Sequence, residues 1–255
     1  MSLARTIDAF RLEGRHALIT GGSKGLGAGC AEALAGAGAN VTVVGRSQTD
    51  LDAVAKAIRA QGVEARILTA DVTDLEAFAR AVATLPPIDI FVNNAGTNKP
   101  QGFLEVDVET FDKVMDLNLR AAFFAAQAVA RAMVAEGRGG SIINMTSQAG
   151  HRALRDRAVY SASKFALEGL TKAMALELSP KGIRVNAVAP TFVSTPLTKP
   201  FLSQPEFRNY VDNKILLPRL GEIEDVAAAV LYLASPAAAM VTGTSLLVDG
   251  GWTAH

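Results

Sequence analysis

The stretch His16-Ala17-Leu18-Ile19-Thr20-Gly21-Gly22-Ser23-Lys24-Gly25-Leu26-Gly27 decides the fold. It opens as a short β-rich apolar run, passes through glycines, and leads directly into an alanine-rich stretch that continues to Ala37. A strand that turns through glycines into a helix leaves free main-chain N–H groups and a partial positive charge at the helix start. Glycines there let the backbone approach a pyrophosphate. The spacing is GxxxGxG rather than GxGxxG, and a strand-to-helix turn of this kind also forms with no ligand at all. Its place at the head of an alternating chain favours the nucleotide reading. Gly21, Ser23, Lys24, Gly25, Leu26 and Gly27 are therefore candidate cofactor contacts.

From this turn onward, short apolar runs alternate with longer amphipathic ones. Strands are expected at 16–20, 40–44, 65–68, 88–92, 141–145, 184–188 and 245–248. Helices are expected at about 49–60, 75–83, 108–135, 158–178 and 223–234. The strand runs lack strict polar alternation, as strands buried on both faces do. Alternation with helices implies right-handed crossovers and an α/β fold: a doubly wound, seven-stranded parallel sheet of the Rossmann type. No linker divides the chain, so residues 1–255 form one domain. The segment 190–220 carries five prolines (190, 196, 200, 205 and 218) and reads as an irregular substrate lid.

Composition narrows the function. The 255 residues hold 25 Lys plus Arg against 25 Asp plus Glu, so the basic excess of a nucleic-acid binder is missing. One cysteine, Cys30, excludes an intrachain disulfide; with only His16, His151 and His255 beside it, no metal site is expected. Cys30 reads as a small buried apolar residue. The longest apolar run, Val226–Val241, is broken by Ser235-Pro236 and falls short of the roughly 18 residues of a membrane span. Met1–Leu12 lacks the apolar centre of a signal peptide. These features read as a cytoplasmic chain without membrane or nucleic-acid partners.

The second strand run ends at Val44-Gly45-Arg46-Ser47, where an NAD-type site usually carries an acidic residue for the ribose hydroxyls. Arg46, with Lys24, suits a 2′-phosphate instead, so NADP is the expected cofactor and NAD remains open. Most Arg and Lys are simply solvated, which is the plainer reading of this pair. Tyr160 and Lys164 are four apart on an expected helix and share a face. Ser147 follows the fifth strand, and Asn118 sits inside a helical run where Asn has poor propensity. Tyr and Lys at helical spacing are more often filler. Here, however, the chemically suggestive groups fall beyond the carboxyl ends of strands, where open parallel sheets bind ligands. They can be assembled into an alcohol–ketone chemistry. Tyr160 is the general acid/base, Lys164 favours its phenolate, Ser147 holds the substrate oxygen, and Asn118 holds a water in a proton path.

Together the glycine turn, Asp71-Val72, Asn93-Asn94-Ala95-Gly96, Asn118, Ser147, Tyr160-Ser161-Ala162-Ser163-Lys164 and Asn186-Ala187-Val188-Ala189-Pro190 resemble the short-chain dehydrogenase/reductase family over about Leu12 to Trp252. The resemblance implies a catalytic set of Asn118, Ser147, Tyr160 and Lys164. It implies cofactor contacts at Arg46, Ser47, Asp71, Val72, Asn94, Ala95, Gly96, Tyr160, Lys164, Pro190, Val193 and Thr195. It also implies a homotetramer, packed through helices around Ala121–Ala135 and Val159–Leu178, with small-residue faces at Ala121, Ala122, Ala125 and Ala126 and at Ala162, Ala166 and Gly169. One departure is Thr191-Phe192, where the family often has glycine after the proline, and it bears on pocket shape.

Asn98, Ser147, Gln148, His151, Tyr160, Thr191 and Phe192 are the expected substrate contacts. His151, Arg152, Arg155 and Arg157 form a local basic cluster, which suggests a sugar, polyol or aldonate; plain surface charge explains it as well. A 3-oxoacyl thioester reductase is the competing enzyme reading. A dinucleotide-sensing protein without chemistry is the alternative of another class.

Overall fold

The computed structural model describes residues 3–195 and 198–255. Pro196 and Leu197, inside the expected lid, and Met1 and Ser2 lie outside the described residues. In chain order the elements are α1 (Leu3–Asp8), β1 (His16–Thr20), α2 (Gly25–Gly36), β2 (Asn40–Gly45), α3 (Gln48–Arg59), β3 (Ala65–Thr69), α4 (Leu75–Val82) and β4 (Ile90–Asn93). Then come α5 (Val108–Met115), α6 (Ala122–Glu136), β5 (Gly140–Met145), α7 (Ala158–Leu178), β6 (Ile183–Pro190), α8 (Lys199–Leu202), α9 (Pro205–Asp212), α10 (Ile223–Ala234) and β7 (Ser245–Val248).

Local chemistry sets the ends of these helices. The side chains of Ser47, Asp74 and Asp107 accept from main-chain N–H groups three residues on and start α3, α4 and α5. Glu222 and Asp225 form a reciprocal capping box at α10. Gly137, at φ +67, stops α6 in the left-handed conformation.

All seven strands are parallel, in the order β3-β2-β1-β4-β5-β6-β7. The order reverses between β1 and β4, and the crevice outside their carboxyl ends is where such sheets bind ligands. Neighbouring residues of one strand feed opposite cores. Ala17 and Ile19 pack with Cys30, Leu34, Leu51, Val226 and Val230 on the α2–α3–α10 side. Leu18 packs with Phe78, Val82, Val129 and Met133 on the α4–α6–α7 side. Each fully buried aliphatic contributes about 1.5–3 kcal/mol, so both faces have to be covered. Cys30 belongs to the first core; its burial pushes the thiol up to about 12.

Three expectations are corrected. The fourth strand begins at Ile90, not 88, because Asp89 is occupied at the base of the sheet. It accepts from His16 N at 2.9 Å and pairs with Arg15 at 3.1 Å and Arg138 at 3.4 Å. The long helix expected over 108–135 is interrupted by a π-helical turn at Asp116–Ala121 that contains Asn118. The segment 190–220 is not irregular: it holds α8 and α9, packed on the chain's own C-terminus. The Trp252 ring lies 5.5 Å from Phe192 and 5.7 Å from Tyr210, and Phe192 lies 5.3 Å from Phe207. Apolar rings spaced along a proline-rich stretch do not announce a helix by periodicity, which is why this packing was hidden in the sequence.

Candidate active site

The glycine turn is shaped by what crosses it. Gly21 sits at φ +64, and a Cβ on Gly27 would stand 2.1 Å from Gly21 O and 2.6 Å from Asn94 Nδ2. Those glycines are required by packing. Gly25 differs: at φ +58, a Cβ there would meet only Thr195 Cβ, at 3.9 Å. Lys24 at the N-cap of α2 offers no side-chain acceptor, so the opening N–H groups lack a side-chain partner. An open left-handed glycine below uncapped helix donors fits a pyrophosphate. Thr195 stands over this cradle with its hydroxyl shared with Thr198.

Asn94, expected as a cofactor contact, has another task. Its Nδ2 donates to Thr20 O at 3.0 Å and Gly21 O at 3.2 Å, and its N–H donates to Thr20 Oγ1 at 3.0 Å. The side chain clamps the glycine turn onto β4 and leaves Ala95 and Gly96 to line the crevice. At the next strand ends, Arg46 is 81 % exposed with its guanidinium 3.9 Å from the Asp71 carboxylate. Thr73 donates to Asp71 through its N–H and hydroxyl and, with Arg46, holds that carboxyl below its usual range. Ser47 is spent partly on capping α3, and Val72 is buried in the core. Pro190 ends β6 opposite Val248; Val193, buried, bridges to Gly221.

Asn118, Ser147, Tyr160 and Lys164 come together above the carboxyl ends of β4 and β5. Lys164 is 5 % exposed, and its Nζ donates to Met145 O at 2.8 Å and lies 5.7 Å from the Tyr160 ring centre. A Cβ on Gly96 would be 3.3 Å from Asn118 Oδ1 and 3.8 Å from Lys164 Nζ, so only a glycine leaves this meeting point clear. Asn118 is fixed by Thr97: Thr97 N donates to its Oδ1 at 2.7 Å, and its Nδ2 donates to Thr97 O at 2.8 Å and Ser163 Oγ at 3.2 Å. With both amide hydrogens used, the side chain keeps one Oδ1 lone pair for the water that the sequence reading assigned to it.

The electrostatics differ from the expectation in one respect. Desolvation pushes the Tyr160 phenol up; a hydrogen bond from Ser147 and the charge of Arg157 oppose this. Arg157, which the sequence did not tie to the phenol, is thus a cation bearing on it beside Lys164, whose Nζ lies 5.7 Å from the ring centre and which is itself desolvated. Burial pushes Lys164 down to about 8, with Glu168 pulling the other way. Glu168 was not singled out from the sequence. It is buried one turn beyond Lys164 and accepts from Ser245 Oγ at 3.0 Å. Its spacing to Lys164 was visible, but its burial was not.

The expected substrate contacts divide. Gln148 is buried, with its Oε1 accepting from Thr191 Oγ1 at 3.1 Å. Phe192 is engaged by Trp252 and Phe207. Asn98 keeps a buried Oδ1 without a partner among the described residues. His151 is turned elsewhere: its Nε2 sits 3.1 Å from Glu168 Oε1 and 3.0 Å from Ser245 Oγ, so it supports Glu168. The basic cluster splits as well, Arg152 and Arg155 lying exposed and Arg157 buried.

The family model described as enoyl-(acyl carrier protein) reductase matches residues 21–253. The chain belongs to the short-chain dehydrogenase/reductase family. With relatives named as sugar reductases and polyol dehydrogenases, it is an oxidoreductase acting on CH–OH. Among its relatives in the family, L-xylulose reductase of Mesocricetus auratus is 44 % identical over 241 residues, 94 % of this chain and 97 % of that protein. Galactitol 2-dehydrogenase (L-tagatose-forming) of Cereibacter sphaeroides is 42 % identical over 248 residues, covering 96 % and 97 %. The crystal structure of a gluconate 5-dehydrogenase from Burkholderia cenocepacia, in complex with NADP and tartrate, superposes with a TM-score of 0.93 at 34 % identity, covering 98 % of this chain and 99 % of that one.

Burial of Lys164 has a consequence for stability. Its folded value of about 8 lies below its ordinary 10.5, so the folded state binds fewer protons between those values. The penalty is fully present below pH 8 and is relieved as pH rises toward 10.5, a change of order 3 kcal/mol. Unfolding free energies of the ligand-free wild type and Lys164→Met, measured across this range, are expected to move in the wild type's favour as pH rises. A pH-independent difference would contradict the buried charge.

Proposed function

We propose that the protein is an NADP(H)-preferring dehydrogenase/reductase that interconverts a secondary alcohol and a ketone on a sugar, polyol or aldonate. The observation that carries this reading is the convergence of Ser147, Tyr160, Lys164 and Asn118 beside a glycine cradle. Relatives named for xylulose, galactitol and gluconate support the substrate class. Preference for NADP rests on the exposed Arg46 at the end of β2, in the position where an acidic residue selects the unphosphorylated ribose.

The dinucleotide, when bound, supplies or accepts a hydride at the carbinol carbon. Tyr160 gives the proton to the ketone oxygen or takes it from the alcohol. Ser147 hydrogen-bonds that same oxygen and holds it against the phenol. Lys164, anchored by Met145 O, keeps an ammonium near the phenol and is suited to hold a ribose hydroxyl. Asn118 joins Thr97 to Ser163 and keeps an Oδ1 lone pair for a water of the proton path.

Assembly as a homotetramer is proposed from an unpartnered face. On α7, Ala162, Phe165 and Gly169 are exposed and Ala166 is half-buried, and on α6 the rings of Phe123 and Phe124 are exposed. A groove of about 1090 Å³ runs between α5 and α6 along Met115, Leu119, Phe123 and Phe124. Of the alanines expected to share this face, Ala121, Ala125 and Ala126 instead belong to the core beneath the sheet, and Ala122 is buried as well. The proposed compartment is the cytoplasm, in keeping with a lone buried thiol.

Four experiments test these statements. Polyols, aldonates, ketoses and 3-oxoacyl thioesters are assayed with both dinucleotides; turnover confined to thioesters would overturn the sugar reading. Tyr160→Phe is expected to lower turnover by about a hundred- to ten-thousand-fold with little change in dinucleotide affinity. Unchanged turnover would remove Tyr160 from the mechanism, and an inactive wild type that still binds NADP would favour a sensing protein. Arg46→Asp is expected to shift the ratio of specificity constants toward NAD by about 1–3 kcal/mol, and an unmoved ratio would contradict the role of Arg46. Light scattering is expected to give the mass of four chains, and a single-chain mass would contradict the proposed assembly.

A further inference from the structure

Three buried side-chain polar atoms have no partner among the described residues: Asn98 Oδ1, Gln101 Oε1 and Arg157 Nε. They are not scattered. Gln101 and Arg157 face each other across an isolated parallel bridge, where Gln101 N donates to Asp156 O at 2.9 Å. Asn98 precedes Gln101 on the same segment, and Arg157 caps α7 three residues before Tyr160. An orphaned buried polar atom is costly, and a charged group most of all. Arg157 stands three residues before the reacting phenol and its charge bears on Tyr160, and an unmet donor there, with two unmet acceptors on the segment bridged to it, points to a ligand that satisfies them.

Arg157 is the extreme case. It is 8 % exposed. Its one side-chain hydrogen bond runs from Nη1 to the neighbouring Asp156 O at 3.0 Å. No ion pair among the described residues includes it. The groups whose charges bear on it are Asp156, Tyr160 and Tyr210, two of them phenols. Asp156 stands at φ +54, the one non-glycine residue with positive φ among the described residues. The loop thus holds backbone strain immediately before the buried guanidinium, a pattern that accompanies ligand clamps. Arg152 and Arg155 of the same loop reach solvent, so surface charge does not account for Arg157.

We propose that Arg157 determines specificity by receiving a carboxylate carried on the substrate, while Asn98 Oδ1 accepts from a substrate hydroxyl, so that sugar acids are preferred over neutral polyols and ketoses. This rests on the proposed oxidoreductase function and narrows its substrate class. A guanidinium pairs a carboxylate through two parallel N–H donors, and Arg157 Nε is free to be one of them. A neutral hydroxyl would accept one bond and leave the buried charge uncompensated. Asn98, with its acceptor idle, complements a hydroxyl neighbour of that acid.

The test uses the holoenzyme with NADPH on matched ketones: 2-ketogluconate against fructose, and 5-ketogluconate against L-sorbose. Each pair differs in carrying a carboxylate or a CH2OH at one terminus. The wild type is expected to favour the acid in at least one pair. In Arg157→Gln the acid-to-neutral ratio of kcat/KM is expected to fall by about 10- to 100-fold, mainly through KM, and Arg157→Lys is expected to recover part of it. Calorimetric binding of gluconate to the NADP complex is expected to weaken in Arg157→Gln by a similar factor. An equal loss on acid and neutral ketone would assign Arg157 to tuning the Tyr160 phenol and overturn the proposal, as would an unchanged ratio or a wild-type preference for the neutral member of both pairs. Reduction of thioesters alone would overturn the parent function, and turnover of neutral sugars alone would overturn only this inference.

Discussion

A buried ammonium governs the site. Lys164 lies almost wholly buried in the crevice, and its Nζ donates to Met145 O. Everything around it limits the cost. Glu168 sits one turn away and favours the charged form; His151 and Ser245 hold Glu168 in place. Gly96 keeps the space above Nζ free of a side chain. A charge held this way is poorly solvated and therefore acts strongly on whatever enters the crevice, which is the condition that electrostatic preorganisation requires.

The scaffold serves that charge by joining separate strands through amide side chains. Asn94 binds the glycine turn after β1 to the end of β4. Asn118, in a π turn, binds the segment after β4 to the start of α7 through Thr97 and Ser163. Asn93 and Asn144 pair beneath them, and Asn144 continues to Thr171 on α7. Asn118 and Asn144 both donate and accept, and Asn93 and Asn94 each donate to two acceptors, so each side chain ties together separate segments at hydrogen-bond precision. The reaction's groups are thereby mounted on strand ends and a helix and not on free loops.

Most of the fold was readable in the sequence because its period was plain. Unbroken apolar runs gave strands buried on both faces, and α7, α10 and β7 have the expected bounds. The glycine turn and the Tyr160–Lys164 spacing marked the site because each is local. What was hidden depends on burial or backbone strain. Periodicity does not show a π turn, the inward face of Ala121–Ala126, or the aromatic packing that orders α8 and α9. Composition grouped Arg157 with Arg152 and Arg155, yet only Arg157 turns inward, after a left-handed Asp156. His151 went the other way, toward Glu168, because a buried carboxylate is a better partner for its ring than an open crevice.

The account turns on the acidity of one phenol, which the protein alone does not lower: burial raises it, and Ser147 and Arg157 offset the rise only in part. The chain has three tyrosines, so ring-carbon NMR of tyrosine-labelled protein can follow Tyr160 through a pH titration, with and without NADP. The expected result is a phenol titrating above its ordinary value in the free protein and falling when the oxidised dinucleotide adds its positive charge. A phenol already acidic in the free protein, or one indifferent to the dinucleotide, would contradict the account.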